Sequence, residues 1–223
     1  MLQHVFERQL RICLELLIEY REGRRKEDFD SYMKENPAAQ VVEMDTVEGP
    51  RTERRFLLTL LFLNCTLQLA FLRESNSSAT TTHVWGQLRS RLTTDEVKRL
   101  FPIVLTDNGT EFSKPEEIEE NEYGEILTSV FFCHPLVSWE KGDCENNHAM
   151  IRRILPKGSS FSNLTQEKVD LMMNHINSHP RPQYNGKTPY EMFVFFHGRH
   201  LAEKLGLKGI DRNDVTLKPY LLK

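Results

Sequence analysis

The chain has 223 residues, of which 39% are hydrophobic and 27% are charged, and its formal net charge is -3. This length suits one well-packed domain with some appended helix and leaves little room for a second full domain. The four cysteines, Cys13, Cys65, Cys133 and Cys144, lack CxxC spacing, so they suggest neither a zinc ribbon nor a disulfide framework and fit a reducing cytoplasm.

The longest apolar run, residues 56–72, approaches the length of a membrane span. Asn64, Thr66 and Gln68 interrupt it, so two strands joined by a tight turn fit better. Charged residues near the N-terminus leave no uninterrupted hydrophobic stretch for a secretory signal. We therefore expect a soluble cytoplasmic protein with no membrane partner.

The first 39 residues are predicted to form a helical extension. Apolar residues from Leu2 to Leu17 recur at spacings of three and four, which is typical of a helix with one apolar face. A second, short helix at 29–33 should end before Pro37. The basic run between these helices is either a hydrated helix end or a contact to DNA, and its members are Arg21, Arg24, Arg25 and Lys26.

The following segment predicts a mixed sheet with helices packed on it, because three early strands form a meander before a helical crossover leads into another strand. The predicted strands cover residues 41–47, 56–62, 66–72, 103–106 and 129–133. The predicted helices of this segment lie near residues 81–92 and 95–100. A glutamate-rich stretch, 113–124, has no apolar period and predicts a mobile loop with room for one short helix.

Capping residues indicate two further helix starts. Thr165 suits the cap of a helix through residue 176, and Thr188-Pro189-Tyr190-Glu191 is a capping box with proline at the first helical position. We expect residues 40–200 to form one α/β domain and residues 201–223 a C-terminal tail.

Two aspartates occupy unusual places in the predicted strands. Asp45 lies within the apolar run 41–47, where a charge is unfavourable unless it is paired or bound to metal. Asp107 follows the run 101–105 and precedes Asn108-Gly109, a dipeptide that turns the chain and ends a strand. Both carboxylates are therefore expected to pair with a cation or to belong to a functional site.

A third carboxylate begins a helix. Glu145 follows the turn-forming Lys141-Gly142-Asp143 and precedes a one-sided apolar pattern, so it should lie in the first helical turn. Arg152, seven residues later, projects from the same face. A glutamate and a cation would then share one surface, either as a structural ion pair or as parts of a site.

Four segments carry a family resemblance: VVEMDTVEG, VLTDNGTEFS, CHPLVSWEKGDCENNH and RRILPKG. Taken in this order they resemble the catalytic core of DDE transposases and retroviral-type integrases, and more narrowly the bacterial transposases of the insertion-sequence-30 family. The resemblance spans roughly residues 38 to 197. It implies a ribonuclease H-like fold, with a mixed five-stranded sheet flanked by helices and the strands of Asp45 and Asp107 paired near its centre.

The resemblance also implies a chemistry. Asp45, Asp107 and Glu145 would be both the catalytic residues and the ligands of two Mg²⁺ (or Mn²⁺) ions, since hard cations prefer oxygen ligands. Water would cleave a transposon end and the freed 3′-hydroxyl would attack target DNA. The implied partners are these DNAs and further copies of the chain on the DNA, in association with the nucleoid. The DNA-binding candidates are Arg152, Arg153, Lys157, Asn108 and Asn147.

The net charge does not exclude a DNA partner, because charge is segregated along the chain. Residues 111–125 contain seven acidic residues and one basic residue, whereas residues 146–200 contain seven basic and three acidic residues. The second region is expected to face phosphates and the acidic stretch to point elsewhere, although solvated surface is the alternative for any single residue.

Alternatives stay open at this point. We find no helix-turn-helix pattern before the Asp45 strand, so the chain is interpreted as a catalytic-core fragment, a shortened product, or a protein that obtains its DNA end from a partner. A truncated, non-catalytic transposase that inhibits a full-length copy is one rival function. A ribonuclease H-like nuclease is another, with Glu43 or Glu48 as a fourth acid. His134 and His148 are further, weaker candidates for metal ligation.

Overall fold

A five-stranded mixed sheet runs through the centre of the computed structural model, which describes residues 20–135 and 137–223 without the side chains of Ser138, Trp139 and Glu145. The strands, in the order β3-β2-β1-β4-β5, pair antiparallel from β1 to β3, and β4 and β5 run parallel to β1. This is the predicted sheet. Its strands are β1 (Val41–Glu48), β2 (Phe56–Phe62), β3 (Leu67–Arg73), β4 (Ile103–Thr106) and β5 (Ser129–Phe132).

The sheet is covered on both faces, which explains why β2 is apolar almost throughout. The tight turn expected within the run 56–72 lies between β2 and β3, where Thr66 adopts a left-handed conformation with φ of 49°. Along β1, Val42 and Met44 face one layer, while Glu43 and Asp45 face the other because side chains alternate along a strand. The expected long N-terminal helix falls largely outside the described residues.

Eight α-helices are described: α1 (Lys26–Glu35), α2 (Ser78–Arg91), α3 (Thr94–Leu100), α4 (Pro115–Glu119), α5 (Gly142–Ile154), α6 (Gln166–Asn177), α7 (Pro189–His197) and α8 (Arg199–Lys204). The two predicted starts are confirmed, since Thr165 caps α6 and Thr188 forms a capping box with Glu191 at α7. Among the described helices, none has the length and apolar character that crossing a lipid bilayer demands.

Two apolar layers flank the sheet. On one face Phe62 packs against Phe101 and Phe193, with ring centroids 5.3 Å apart in both pairs, and Trp85 of α2 stacks edge-on against Phe101. On the other face α5 and α6 bury Ile151 and Met172 over Leu57 and Ala70. A third, smaller cluster joins α1 to the β4–β5 edge. Residues beyond 200 also pack on these layers, through Leu201, Leu205, Leu217 and Leu221.

The glutamate-rich stretch is anchored to the core rather than free of it. It contains α4, where Ile118 is fully buried, and Glu119 accepts hydrogen bonds of 2.6 to 3.1 Å from Arg24 and one of 2.9 Å from the backbone of Val130. Arg24 therefore has a structural partner instead of a DNA contact. A five-residue helix is too short for its apolar period to reveal this packing.

His197 gives the fold a predicted pH dependence. Burial, with a smaller contribution from Arg99, lowers the pKa of His197 to about 4. In the unfolded chain the imidazole takes up a proton near its ordinary pKa of about 6.5, whereas in the folded chain it stays neutral down to about pH 4. The free energy of unfolding therefore falls as the pH falls from about 6.5 to about 4, by up to about 3 kcal/mol.

We expect His197→Phe to remove most of this pH dependence, since the ring packs 4.7 Å from Phe193 and an apolar ring suits the site. Urea unfolding at pH 7 and pH 5 measures it. The exposed His200→Ala variant serves as control and should behave as wild type. An unchanged pH dependence in His197→Phe would contradict the assignment.

Candidate active site

Strand pairing brings Asp45 and Asp107 together. In the parallel pair of β1 and β4, Met44 lies opposite Thr106, and the next residue on each strand is an aspartate. Thr106 Oγ1 also donates 3.1 Å to the Met44 carbonyl. The two aspartates therefore stand at the same level of the sheet on adjacent central strands, Asp45 within β1 and Asp107 directly after the last residue of β4.

A single ammonium lies between these carboxylates. Lys141 Nζ is 3.2 Å from Asp45 Oδ1 and 3.3 Å from Asp107 Oδ2, and the lysine side chain is only 7% exposed. Burial opposes the charge on Lys141, but Asp45 and Asp107 outweigh it and raise its pKa. Oxygens of both aspartates thus converge on one positive charge.

The loop after β4 orients the Asp107 carboxylate through a backbone hydrogen bond. The backbone N–H of Gly109 donates 2.9 Å to Asp107 Oδ1, and a Cβ at position 109 would lie 2.5 Å from Glu111 Oε2 and 3.1 Å from that same aspartate oxygen. Glycine lets these two carboxylates approach the backbone closely, and its φ of -62° is open to any residue. Asn108 uses its amide to donate 2.7 Å to the Cys133 carbonyl.

Helix α5 brings Glu145 to the same region. Glu145 is the fourth residue of α5, and the preceding residue, Cys144, donates its backbone N–H 2.8 Å to the Glu43 carboxylate on β1. Glu43 is 3% exposed, and burial raises its pKa to about 7 although the hydrogen bond from Cys144 opposes that shift. Glu43 therefore ties α5 to β1 beside Asp45.

The donor set fits a hard divalent cation. Asp45 and Asp107 supply carboxylate oxygens that already hold a cation, which is the ligand type that Mg²⁺ and Mn²⁺ prefer. Asp45, Cys144 and His148 also come within 4.8 Å of one another. His148 Nδ1 lies 3.8 Å from Asp45 Oδ2, and its Nε2 lies 3.0 Å from Thr59 Oγ1.

A cleft of about 650 Å³ opens over these residues, lined in part by Asp45, Asp107, Glu48, Glu111 and Lys141. His134 is on its rim, where its ring nitrogens contact Glu140 at 2.7 Å and Glu27 at 2.9 Å. Hydrogen bonds to these two carboxylates raise the pKa of His134. This histidine joins α1 to the segment before α5 and has acidic partners of its own instead of a place beside Asp45.

The predicted DNA-binding residues fall into two groups. Arg153 and Lys157 are exposed, and half-buried Arg152 donates 2.9 Å to the carbonyl of Glu48 on the cleft wall. Asn147 is 7% exposed and donates to the carbonyl of Asp143. Its amide oxygen also accepts 3.2 Å from Arg181. The amides of Asn108 and Asn147 therefore make internal hydrogen bonds.

Several site residues were not predicted from the sequence. Lys141 was interpreted only as part of a turn, and Glu111 was assigned to an acidic stretch that points elsewhere, yet both line the cleft. Glu111 accepts from Thr46 at 2.9 Å and from Asn76 at 3.0 Å. Behind them lies Arg73, 2% exposed, which donates to Thr46, Asn76 and Thr81 at 2.7 to 2.8 Å.

A basic cluster beside α5 was also not foreseen as such. It consists of Arg153, His179 and Arg181. Burial lowers the pKa of His179, and the charges of Arg181 and Arg153 lower it further, which reflects their proximity. On the other side of the cleft, Arg21, Arg25 and Lys26 border a cavity of about 230 Å³ that shares Asn108 and His134 with the cleft lining.

Sequence comparisons with known proteins find similarity to insertion-sequence transposases. No protein-family model matches the chain. It is 38% identical over 98 residues to the transposase for insertion sequence element IS4351 of Bacteroides fragilis, a match that covers 44% of this chain and 29% of that protein. It is 36% identical over 63 residues to transposase InsI for insertion sequence element IS30A of Escherichia coli, covering 28% and 16%. The chain spans less than a third of the length of these relatives.

The fold is similar to that of a solved integrase domain. The structure matches the catalytic core domain of BIV integrase with a TM-score of 0.53 and 19% sequence identity, covering 74% of this chain and 99% of that domain. A structural similarity at 19% sequence identity establishes the fold, and the function has to be argued from the residues of the site. Over part of its length the chain is therefore similar in sequence to insertion-sequence transposases, and it has the ribonuclease H-like fold of an integrase catalytic core.

Proposed function

We propose that this chain is a DDE-type transposase or integrase core that cleaves DNA and joins the freed strand to target DNA, with Mg²⁺ or Mn²⁺ as cofactor. The observation that carries the proposal is the placement of Asp45 and Asp107 at the same level of two adjacent parallel strands, with both carboxylates on the Lys141 ammonium. The kinship with insertion-sequence transposases supports the same reaction class.

The proposed ligands of two divalent ions are Asp45, Asp107 and Glu145. Such ions stabilise the attacking and leaving oxygens of a phosphodiester displacement. The protein's own contribution is positional: the β1–β4 pairing fixes the two aspartates, and the Cys144–Glu43 hydrogen bond fixes the start of the helix that carries Glu145. The cleft gives a sugar-phosphate strand access to Asp45 and Asp107.

We propose that DNA lies across the cleft between two cationic surfaces. One is formed by Arg152, Arg153 and Lys157, and the basic cluster extends it through Arg181. The other consists of Arg21, Arg25 and Lys26. Phosphate contacts of this kind position a duplex without reading its sequence. The proposed substrates are transposon ends and target DNA. An oligomer of the chain would bind them in the cytoplasm, in association with the nucleoid.

Arg152→Ala and Arg153→Ala are each expected to weaken DNA binding and to reduce the salt dependence of binding, with the slope of log K against log salt concentration falling by about 1. Fluorescence anisotropy with a labelled duplex at several salt concentrations measures this slope. Arg91→Ala, an exposed arginine at the end of α2, is the control. An unchanged slope for Arg152→Ala would assign that residue to a purely structural role at Glu48.

Incubation with labelled duplex and supercoiled plasmid DNA tests the function. With Mg²⁺ or Mn²⁺ we expect nicked products that end in a 3′-hydroxyl, followed by joined products, and neither should form in EDTA. The same reaction run with a full-length relative distinguishes an active recombinase from an inhibitor. Absence of metal-dependent products from the chain alone, combined with inhibition of the relative, would contradict the proposal.

A further inference from the structure

Lys141 is a buried cation inside the proposed site. Its ammonium contacts three oxygens, Asp45 Oδ1 at 3.2 Å, Asp107 Oδ2 at 3.3 Å and the Met44 carbonyl at 3.3 Å. Lysine is rarely buried to this extent unless its charge is paired. The two carboxylates explain why the lysine is tolerated here, and the lysine explains why two carboxylates can face each other.

Lys141 lies between an ordered turn and a helix, and it lines the cleft. It ends the 3₁₀ turn Ser138–Lys141, directly before α5, whose first turn is held to β1 by the Cys144–Glu43 hydrogen bond. A lysine carries its charge on a flexible four-carbon stem. A rotation of this stem toward the cleft would separate the ammonium from Asp45 and Asp107 while the backbone of α5 stays in place.

We infer that Lys141 is an internal counter-ion that holds Asp45 and Asp107 together in the metal-free protein and competes with divalent cations for the same oxygens. The inference rests on the proposed function, because it takes these aspartates as metal ligands. Without the ammonium the two carboxylates repel each other. With it, an entering divalent cation meets a like charge at its own ligands, so binding requires that the ammonium move away.

Manganese titrations by isothermal calorimetry test the competition. Lys141→Met and Lys141→Gln are expected to bind Mn²⁺ about tenfold more tightly than wild type, because the competing charge is gone. Lys204→Met is the matched control. Lys204 Nζ pairs with Glu96 Oε2 at a distance of 2.7 Å, and neither residue lines the cleft. Failure of the wild type to bind Mn²⁺ would contradict the proposed function. Binding by wild type with no gain in either Lys141 variant would overturn this inference alone.

Thermal unfolding gives a second readout. In EDTA the Lys141 variants should melt below wild type, and saturating Mn²⁺ should raise their melting temperature by more than it raises that of wild type. If both variants fail to fold, amine-reactive labelling of wild type decides the matter. Lys141 should be labelled faster in Mn²⁺ than in EDTA while Lys204 is unchanged, and equal labelling of Lys141 in both conditions would overturn the inference.

Discussion

Asp45→Asn, Asp107→Asn and Glu145→Gln are each expected to lower metal-dependent cleavage and strand transfer by about 10³-fold or more. Each change keeps the shape of the side chain and removes its charge, so loss of activity in a variant that still folds is assigned to the metal site. Initial rates on labelled duplex with Mg²⁺ measure it. Circular dichroism spectra should match wild type.

The control for these variants is Asp95→Asn, an exposed aspartate in the first turn of α3, which should retain wild-type rates. DNA affinity measured in EDTA should also stay within a few-fold of wild type, because the carboxylates themselves do not attract phosphate. Full activity in any one of the three variants would remove that residue from the proposed ligand set and leave the other two assignments to stand on their own results.

Arg73→Met should lower the free energy of unfolding by about 1 to 3 kcal/mol, because Thr46, Asn76 and Thr81 lose a buried hydrogen-bond donor. Arg73 is 2% exposed, and burial lowers its pKa to about 10 while the charge of Glu111 opposes that shift. Its loss leaves Glu111, itself 7% exposed, without this neighbouring cation. Since Arg73 also donates to Thr46, next to Asp45, we expect cleavage to fall as well.

Urea unfolding of Arg73→Met, Glu111→Gln and the double variant measures the coupling between the two residues. The double variant should be less destabilised than the sum of the single variants, since it buries no unpaired charge. Lys98→Met is the control: its pair with Glu125 is about half exposed on both sides and should contribute no more than about 1 kcal/mol. Strict additivity would contradict the Arg73–Glu111 coupling.

The sequence predicted the helix caps and several strand bounds correctly, because these features depend on residues that are close together in the chain. The caps at Thr165 and Thr188 satisfy backbone groups within their own turn, so sequence reveals them directly. Strand β2 was predicted at the observed bounds because six of its seven residues are apolar. Helix α1 extends beyond the predicted 29–33 at both ends, since its polar first and last residues carry no apolar period.

The site required more than local patterns. An aspartate in an apolar run and one at a strand end were visible, but the pairing that aligns Asp45 with Asp107 joins strands far apart in sequence and came only from the family resemblance. The place of Lys141 depends on how the turn before α5 lies against β1, which no spacing encodes. Likewise, Glu111 and Glu119 share an acidic stretch, yet one enters the cleft and the other pairs with Arg24.

The pairing of β1 with β4 has a consequence for the newly synthesised chain. Thr106 Oγ1 reaches the Met44 carbonyl across 62 positions of the sequence, whereas β1, β2 and β3 are neighbours in order. Closing long loops is slower than closing short ones, so we expect the meander to form first and the carboxylates to meet late. On the proposed function, an incompletely folded chain in which β4 has not yet joined the meander would therefore lack the aspartate pair of the site.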